Sequence, residues 1–194
     1  MEKKDSRIIK AFEFAFIKHQ GSKRKGSNIP YIVHPVEVAI TLMKSGASEN
    51  LIIAGFLHDL IEDENVTYDE IQELFGEKVA DLVKLVSEPE ELKKSHKDPR
   101  FTWKQRKMGT IDRISHTTCE GKMLSCTDKL VNIREMVNDF QFVGEKLWSR
   151  FNAVKSEQEW YYRSMCNVFS SEPIDISKSV IYKQFKNYVD QLFR

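Results

Sequence analysis

The sequence predicts an all-α protein, and three observations carry that expectation. Apolar residues recur at intervals of three and four along most of the chain, helix-start signatures precede several of those runs, and no alternating pattern of strand length interrupts them. The 194 residues are 41% hydrophobic with 12 Phe and 3 Trp, enough for one domain with a sizeable core.

The elements follow in order. Ile8, Ile9, Phe12, Ala15 and Phe16 outline a first amphipathic helix, and Val36, Val38, Ala39, Leu42 and Met43 a second that stops before Gly46. Ser48 caps a helix expected to run from Glu49 to about Ile61, and Thr67-Tyr-Asp-Glu70 is a capping box that opens a short one. After Phe75-Gly76, Glu77 to Ser87 places Val79, Leu82, Val83 and Val86 on one face. Glu88 to Thr102, with two prolines and many charges, reads as a long surface loop. Helices then resume at Trp103–Ser115, Lys122 to about Phe140, Gly144–Phe169 and, after a Ser-Ser-Glu-Pro break, Ser177–Leu192. No repeat, low-complexity tract or linker divides the chain, so one domain over 1–194 is expected, with the C-terminal helix, 176–193, packed on the rest.

Bulk properties narrow the function. Lys+Arg (30) and Asp+Glu (29) nearly cancel to a net charge of +1, which argues against a surface built for nucleic acid or an anionic membrane and favours a small-molecule partner. Cys119, Cys126 and Cys166 form no C-x-x-C pair or disulfide framework, so they are expected to pack as small hydrophobes in a reducing cytoplasm. The basic N-terminus lacks a signal peptide's apolar core, and the longest apolar run, Leu51–Leu57, is far short of the ~20 residues that span a membrane. Self-association is left open.

The stretch GFLHDLIEDE, residues 55–64, crowds His58, Asp59, Glu62, Asp63 and Glu64 behind an apolar run. His58 and Glu62 are four apart, as are Asp59 and Asp63, so these groups share one turn of helix. Like charges there repel, and a divalent cation is the least strained explanation, since it keeps the carboxylates ionised and the imidazole neutral. His34, beside Pro35 at a helix mouth, and Asp128, with Asn132 four residues on, complete an N₂O₂ set of His34, His58, Asp59 and Asp128 suited to Mn²⁺, Fe²⁺ or Zn²⁺. Lys23, Arg24, Lys25, Lys104, Arg106 and Lys107 are the positive charge available to a phosphate-bearing substrate.

The order H…HD…D resembles the HD-domain metal phosphohydrolases. "HQGSKRKGSNIPYIVHPVEVA", "AGFLHDLIEDENVT", "FGEKVADLVKLVSE", "TWKQRK" and "SCTDKLVNIREM" are similar to the hydrolase domain of the RelA/SpoT proteins, over about 7–165. The size is similar to that of stand-alone small alarmone hydrolases such as the metazoan SpoT homologues. This resemblance implies metal binding by His34, His58, Asp59 and Asp128, usually with Mn²⁺. It also implies water activation by Glu62 and Asp63, substrate contact by Arg24, Lys25 and Asn132, and removal of the 3′-pyrophosphate from (p)ppGpp. Lys104 and Lys107 are added as candidate substrate contacts. The chain departs from the family pattern at Ser22, where glutamine is frequent, at Glu64, where threonine is common, and at Val131, where histidine precedes the asparagine. No proposed ligand is lost.

Other readings stay open: action on another nucleotide or phosphoester, including the 2′-phosphate of NADPH, a non-catalytic nucleotide sensor, or a helical interaction module. Each site residue also has a plainer reading. His34 next to a proline is often structural, Asp128 could be a solvated helix residue, and Arg24-Lys25 an ordinary charged surface. Trp160, Tyr161 and Tyr162 are expected in the core, and His19, His96 and His116 at the surface or in structural roles.

Overall fold

Helices are the regular elements of the protein, as the sequence predicts. The computed structural model describes residues 6–24, 26–88 and 99–194, and it falls into two units, Met1–Ser87 and Glu88–Arg194. Among the described residues there is no β-strand beyond an isolated antiparallel bridge between Lys23 and Pro30, and no helix is long and apolar enough to cross a membrane.

The first unit contains α1 (Arg7–Lys18), α2 (Val33–Lys44), α3 (Glu49–Leu57), α4 (Leu60–Asp63), α5 (Tyr68–Phe75) and α6 (Glu77–Val86). Its centre is α3. Every residue from Leu51 to Leu57 is buried, so this helix is apolar all round and packs against α1, α2 and α6. The Ser48 side chain accepts from the Leu51 amide and that of Thr67 from the Glu70 amide, as the caps predict. The box at Thr67 is only half made, because the Glu70 carboxylate pairs with Lys18 at 2.9 Å instead of reaching back. On α1 the buried residues are Ala11 and Ala15, while Ile9, Phe12 and Phe16 remain exposed. Small side chains let α1 approach α3 and leave Ile9 and Phe16 outward, while Phe12 still meets Phe56 of α3 at 5.9 Å between ring centres, which periodicity alone does not foresee. Arg7 fixes the start of α1, donating to Glu49 (2.8 Å), Asn50 (3.1 Å) and the Phe75 carbonyl (2.7 Å).

The expected single helix from Glu49 to Ile61 is broken at His58-Asp59. His58 Nδ1 lies 2.9 Å from the Gly55 carbonyl, an acceptor that a continuing helix offers to the amide of residue 59. The chain restarts as the single turn of α4, whose Leu60 is fully buried, and then bends at Asn65 with φ 54°.

The second unit contains α7 (Pro99–Ser115), α8 (Cys119–Val143), a 3₁₀ segment (Gly144–Arg150), α9 (Lys155–Phe169) and α10 (Val180–Leu192). Of the expected loop Glu88–Thr102, residues 89–98 lie outside the described residues and 99–102 already belong to α7. Pro99 at the first helical position needs no amide partner, so a proline read as a loop signal here opens a helix. The predicted helix Gly144–Phe169 is divided: Gly144, at φ 57°, ends α8, and a tight 3₁₀ run precedes α9. The last helix starts at Val180 under the Ser179 cap and packs against α8.

Lys122 of α8 is fully buried. Its ammonium donates to the carbonyls of Val168 (2.8 Å), Ser171 (3.1 Å) and Ile174 (2.7 Å), which close the end of α9 and the turn after it. Burial lowers its pKa, opposed by Asp175 and Glu172. Tyr161, Tyr162, Cys126 and Cys166 are in the core as expected, whereas Cys119, at the start of α8, is exposed.

Candidate metal centre

The first unit brings His34, His58 and Asp59 onto one point. His34 stands in the first turn of α2, where Pro35 fills a position whose amide has no helical partner. His58 stands at the carboxyl end of the apolar α3. Both imidazoles are buried, at 3% and 2% exposure. His34 Nε2 and His58 Nε2 are 3.2 Å apart, and Asp59 Oδ2 lies 3.1 Å from the latter and 3.5 Å from the former. The Gly55 carbonyl can only accept, so His58 Nδ1 carries a proton, and Nε2 is the ring atom turned toward His34 and Asp59.

These separations fit a dication. Metal–ligand bonds of about 2.0–2.2 Å place neighbouring donor atoms about 2.8–3.1 Å apart in octahedral and about 3.3–3.6 Å apart in tetrahedral geometry, a span that brackets all three distances. Two imidazoles and one carboxylate suit a borderline divalent metal.

Tyr31 supports the cluster and was missed from sequence, although it lies three residues before His34. Its hydroxyl donates to Asp59 Oδ2 at 2.7 Å. Burial first, then the Asp59 and Asp63 carboxylates, push its pKa well above the ordinary phenol value, so it stays a donor. The His19 ring packs at 4.8 Å between centroids on Tyr31, and the Arg24 guanidinium lies 5.6 Å from the Tyr31 ring centre. His19 is therefore a buried structural histidine, not a surface one. Its Nδ1 lies 3.0 Å from Glu64 Oε1, which also accepts from Ser22 Oγ at 2.8 Å. Ser22 and Glu64, two positions that depart from the family pattern, thus touch each other.

Glu62 is half-buried and Asp63 exposed, and both form the turn that follows Asp59, their amides donating to the Asp59 carbonyl at 3.1 and 2.9 Å. Lys25 lies outside the described residues. Gly55 sets the spacing between α2 and α3: a Cβ there meets Leu42 Cδ1 at 2.8 Å and the Ala39 backbone at 3.3 Å. Gly55→Ala is expected to pry the two imidazoles apart and weaken metal binding about tenfold, comparable to loss of a residue that orients a ligand, as measured by calorimetric metal titration.

The second unit holds the remaining candidates. The two Asp128 oxygens face Lys129 and Asn132: Oδ2 is ion-paired with the ammonium and Oδ1 accepts from Asn132 Nδ2 at 2.6 Å. Burial alone would lower the Lys129 pKa, but Asp128 beside it overrides this and holds it well above its ordinary value. Arg106 and Lys107 both pair with half-buried Glu88, at 2.7 and 3.0 Å, and Lys107 and Lys104 lie over the rings of Tyr161 and Trp160. Burial raises the Glu88 pKa, but Lys107 and Arg106 together bring it down to about 2, from 4.5. A carboxyl depressed on folding contributes stability that is complete above its unfolded pKa and vanishes as pH falls through the folded one. The gap between the unfolding free energies of parent and Glu88→Gln, measured by urea titration, is therefore expected to shrink from pH 5 to pH 2, by on the order of 3 kcal/mol.

A helical protein in which His34, His58 and Asp59 offer ligand atoms within 4.8 Å of one another has the donor set to hold a divalent metal. Comparison with known proteins makes this specific: the family model described as "HD domain" matches residues 11–155, and the chain belongs to that family. A guanosine-3′,5′-bis(diphosphate) 3′-pyrophosphohydrolase of Aquifex aeolicus is 36% identical over 132 residues, 66% of this chain and 18% of that protein. The Xenopus tropicalis enzyme of the same name, MESH1, is 33% identical over 66% of this chain and 69% of its own length. The chain thus spans less than a fifth of the Aquifex relative and about two thirds of the shorter animal one. A Listeria monocytogenes crystal structure superposes with a TM-score of 0.73 at 30% identity, covering 82% of this chain and 98% of that one.

Proposed function

We propose that this chain removes the 3′-pyrophosphate from (p)ppGpp, giving GDP or GTP and pyrophosphate, as a Mn²⁺-dependent cytoplasmic hydrolase acting as one domain over 1–194. The observation that carries this reading is the cluster of His34, His58 and Asp59, whose ligand atoms all lie within 4.8 Å of one another, with Glu62 and Asp63 on the turn that follows Asp59. Relatives named as pyrophosphohydrolases of this nucleotide support the substrate.

His34, His58 and Asp59 would hold the metal, with Asp128 as the fourth ligand on the strength of its motif. When bound, a divalent metal acidifies water and neutralises charge on a phosphoryl oxygen. Tyr31 fixes the Asp59 carboxylate through its hydrogen bond. Glu62 and Asp63 orient the attacking water and accept its proton. Arg24 and Lys25 meet the phosphates, arginine with its two-pronged geometry, and Asn132, Lys104 and Lys107 are assigned to further substrate contact.

The test is a panel of nucleotides, (p)ppGpp and NADPH among them, incubated with Mn²⁺-loaded protein while pyrophosphate and orthophosphate are both quantified. Pyrophosphate from (p)ppGpp is expected. Orthophosphate as the sole product rejects the assignment, and tight binding with no product at any metal concentration identifies a sensor.

A further inference from the structure

The segment that carries Arg24 is a closed loop. Gly21, at φ 89°, turns the chain out of α1, and Ser22 and Tyr31 meet at the loop's base, where the Tyr31 amide donates to the Ser22 carbonyl at 2.9 Å. One rung further out, the Arg24 amide donates to the Ile29 carbonyl at 2.9 Å. Backbone bonds hold the loop's own shape, but they do not tie it to the turn that bears Glu62 and Asp63.

Side chains do: the Tyr31 hydroxyl bonds Asp59, where that turn begins, and Glu64 adds a further tie. Glu64 follows that pair directly, and its Oε1 takes the Ser22 hydroxyl at 2.8 Å and faces His19 Nδ1 at 3.0 Å. The contact is shielded, with the His19 side chain fully buried and that of Glu64 18% exposed. Hydrogen bonds to an ionised group in such surroundings are stronger than neutral ones. Both partners of Glu64 lead on to Tyr31, His19 through its packed ring and Ser22 through its carbonyl. Tyr31 in turn bonds Asp59 and lies beneath the Arg24 guanidinium.

We infer that Glu64 is a positioning residue: by clamping Ser22 and His19 it locks the Arg24 loop onto the turn carrying Glu62 and Asp63, and so sets where substrate phosphates sit relative to the reacting centre. The kinetic part of this inference rests on the function proposed above, while the clamp itself does not.

Two measurements on the full chain separate them. In hydrogen exchange, Glu64→Ala is expected to raise exchange at the Arg24 and Tyr31 amides about tenfold, the loss of one charge-assisted hydrogen bond, while α2 and α3 keep their protection. Unchanged loop exchange, or protection lost throughout the first unit, overturns the inference whatever the substrate. In turnover of (p)ppGpp, Glu64→Ala is expected to raise KM about tenfold with kcat within about twofold of the parent and bound metal unchanged. Glu64→Gln, which keeps an accepting oxygen, should recover most of that loss. Arg24→Ala should cost less in the Glu64→Ala background than in the parent, because a misplaced arginine has less to lose. A fall in kcat and metal together, or fully additive effects with Arg24→Ala, contradicts the inference. A parent protein with no activity on (p)ppGpp defeats the functional reading alone, and the exchange result then decides the clamp.

Discussion

Asp59→Ala is expected to lose metal and turnover together. One oxygen of this carboxylate faces both imidazoles, at 3.1 and 3.5 Å, and also receives the Tyr31 hydroxyl. Its removal leaves two imidazoles facing each other with no carboxylate to offset a dication's charge, and takes away the acceptor of the Tyr31 hydroxyl. Changes to residues that merely orient ligands weaken metal binding about 10–100-fold, so loss of a ligand should exceed a hundredfold. Metal analysis after dialysis should then find about one ion per parent chain and almost none in the variant, with turnover reduced in parallel. Retention of stoichiometric metal by the variant refutes the centre. Asp59→Asn is a useful companion, because it preserves shape while removing charge.

Glu62→Ala should give the opposite split: metal retained, kcat lowered by about 10²–10⁴-fold, the range for a lost general base. Glu62 is not among the three clustered donors, yet it belongs to the single turn that begins at Asp59. A fall in kcat with KM little changed would mark an interaction made chiefly in the transition state. Activity equal to the parent removes Glu62 from the mechanism, and metal lost with activity makes it a ligand instead.

The helices were legible because their signals are local. Ser48 and Thr67 cap where their side chains suggest, and the buried faces of α5 and α6 follow the spacing of their apolar residues. His34, His58 and Asp59 were legible for another reason: their order matches a pattern, and the pattern implies a meeting that the fold makes. What escaped is tertiary. The break after Leu57 depends on one imidazole taking a carbonyl three residues back, which no periodicity encodes. The contact between Ser22 and Glu64 joins residues 42 apart, and neither position alone looks functional. Glu88 was read as the edge of a loop, yet it buries its charge against Arg106 and Lys107, basic residues that the sequence offers simply as positive surface.

The carbonyl cage around Lys122 has a consequence for the C-terminal part of the chain. Surface pairs such as Arg163–Glu159 fade once salt shortens the Debye length to about 8 Å and below. An ammonium sealed from water among three backbone oxygens is beyond the reach of mobile ions. The joint between α8 and the turn after α9 therefore keeps its strength in brine, where the charged exterior around it loosens.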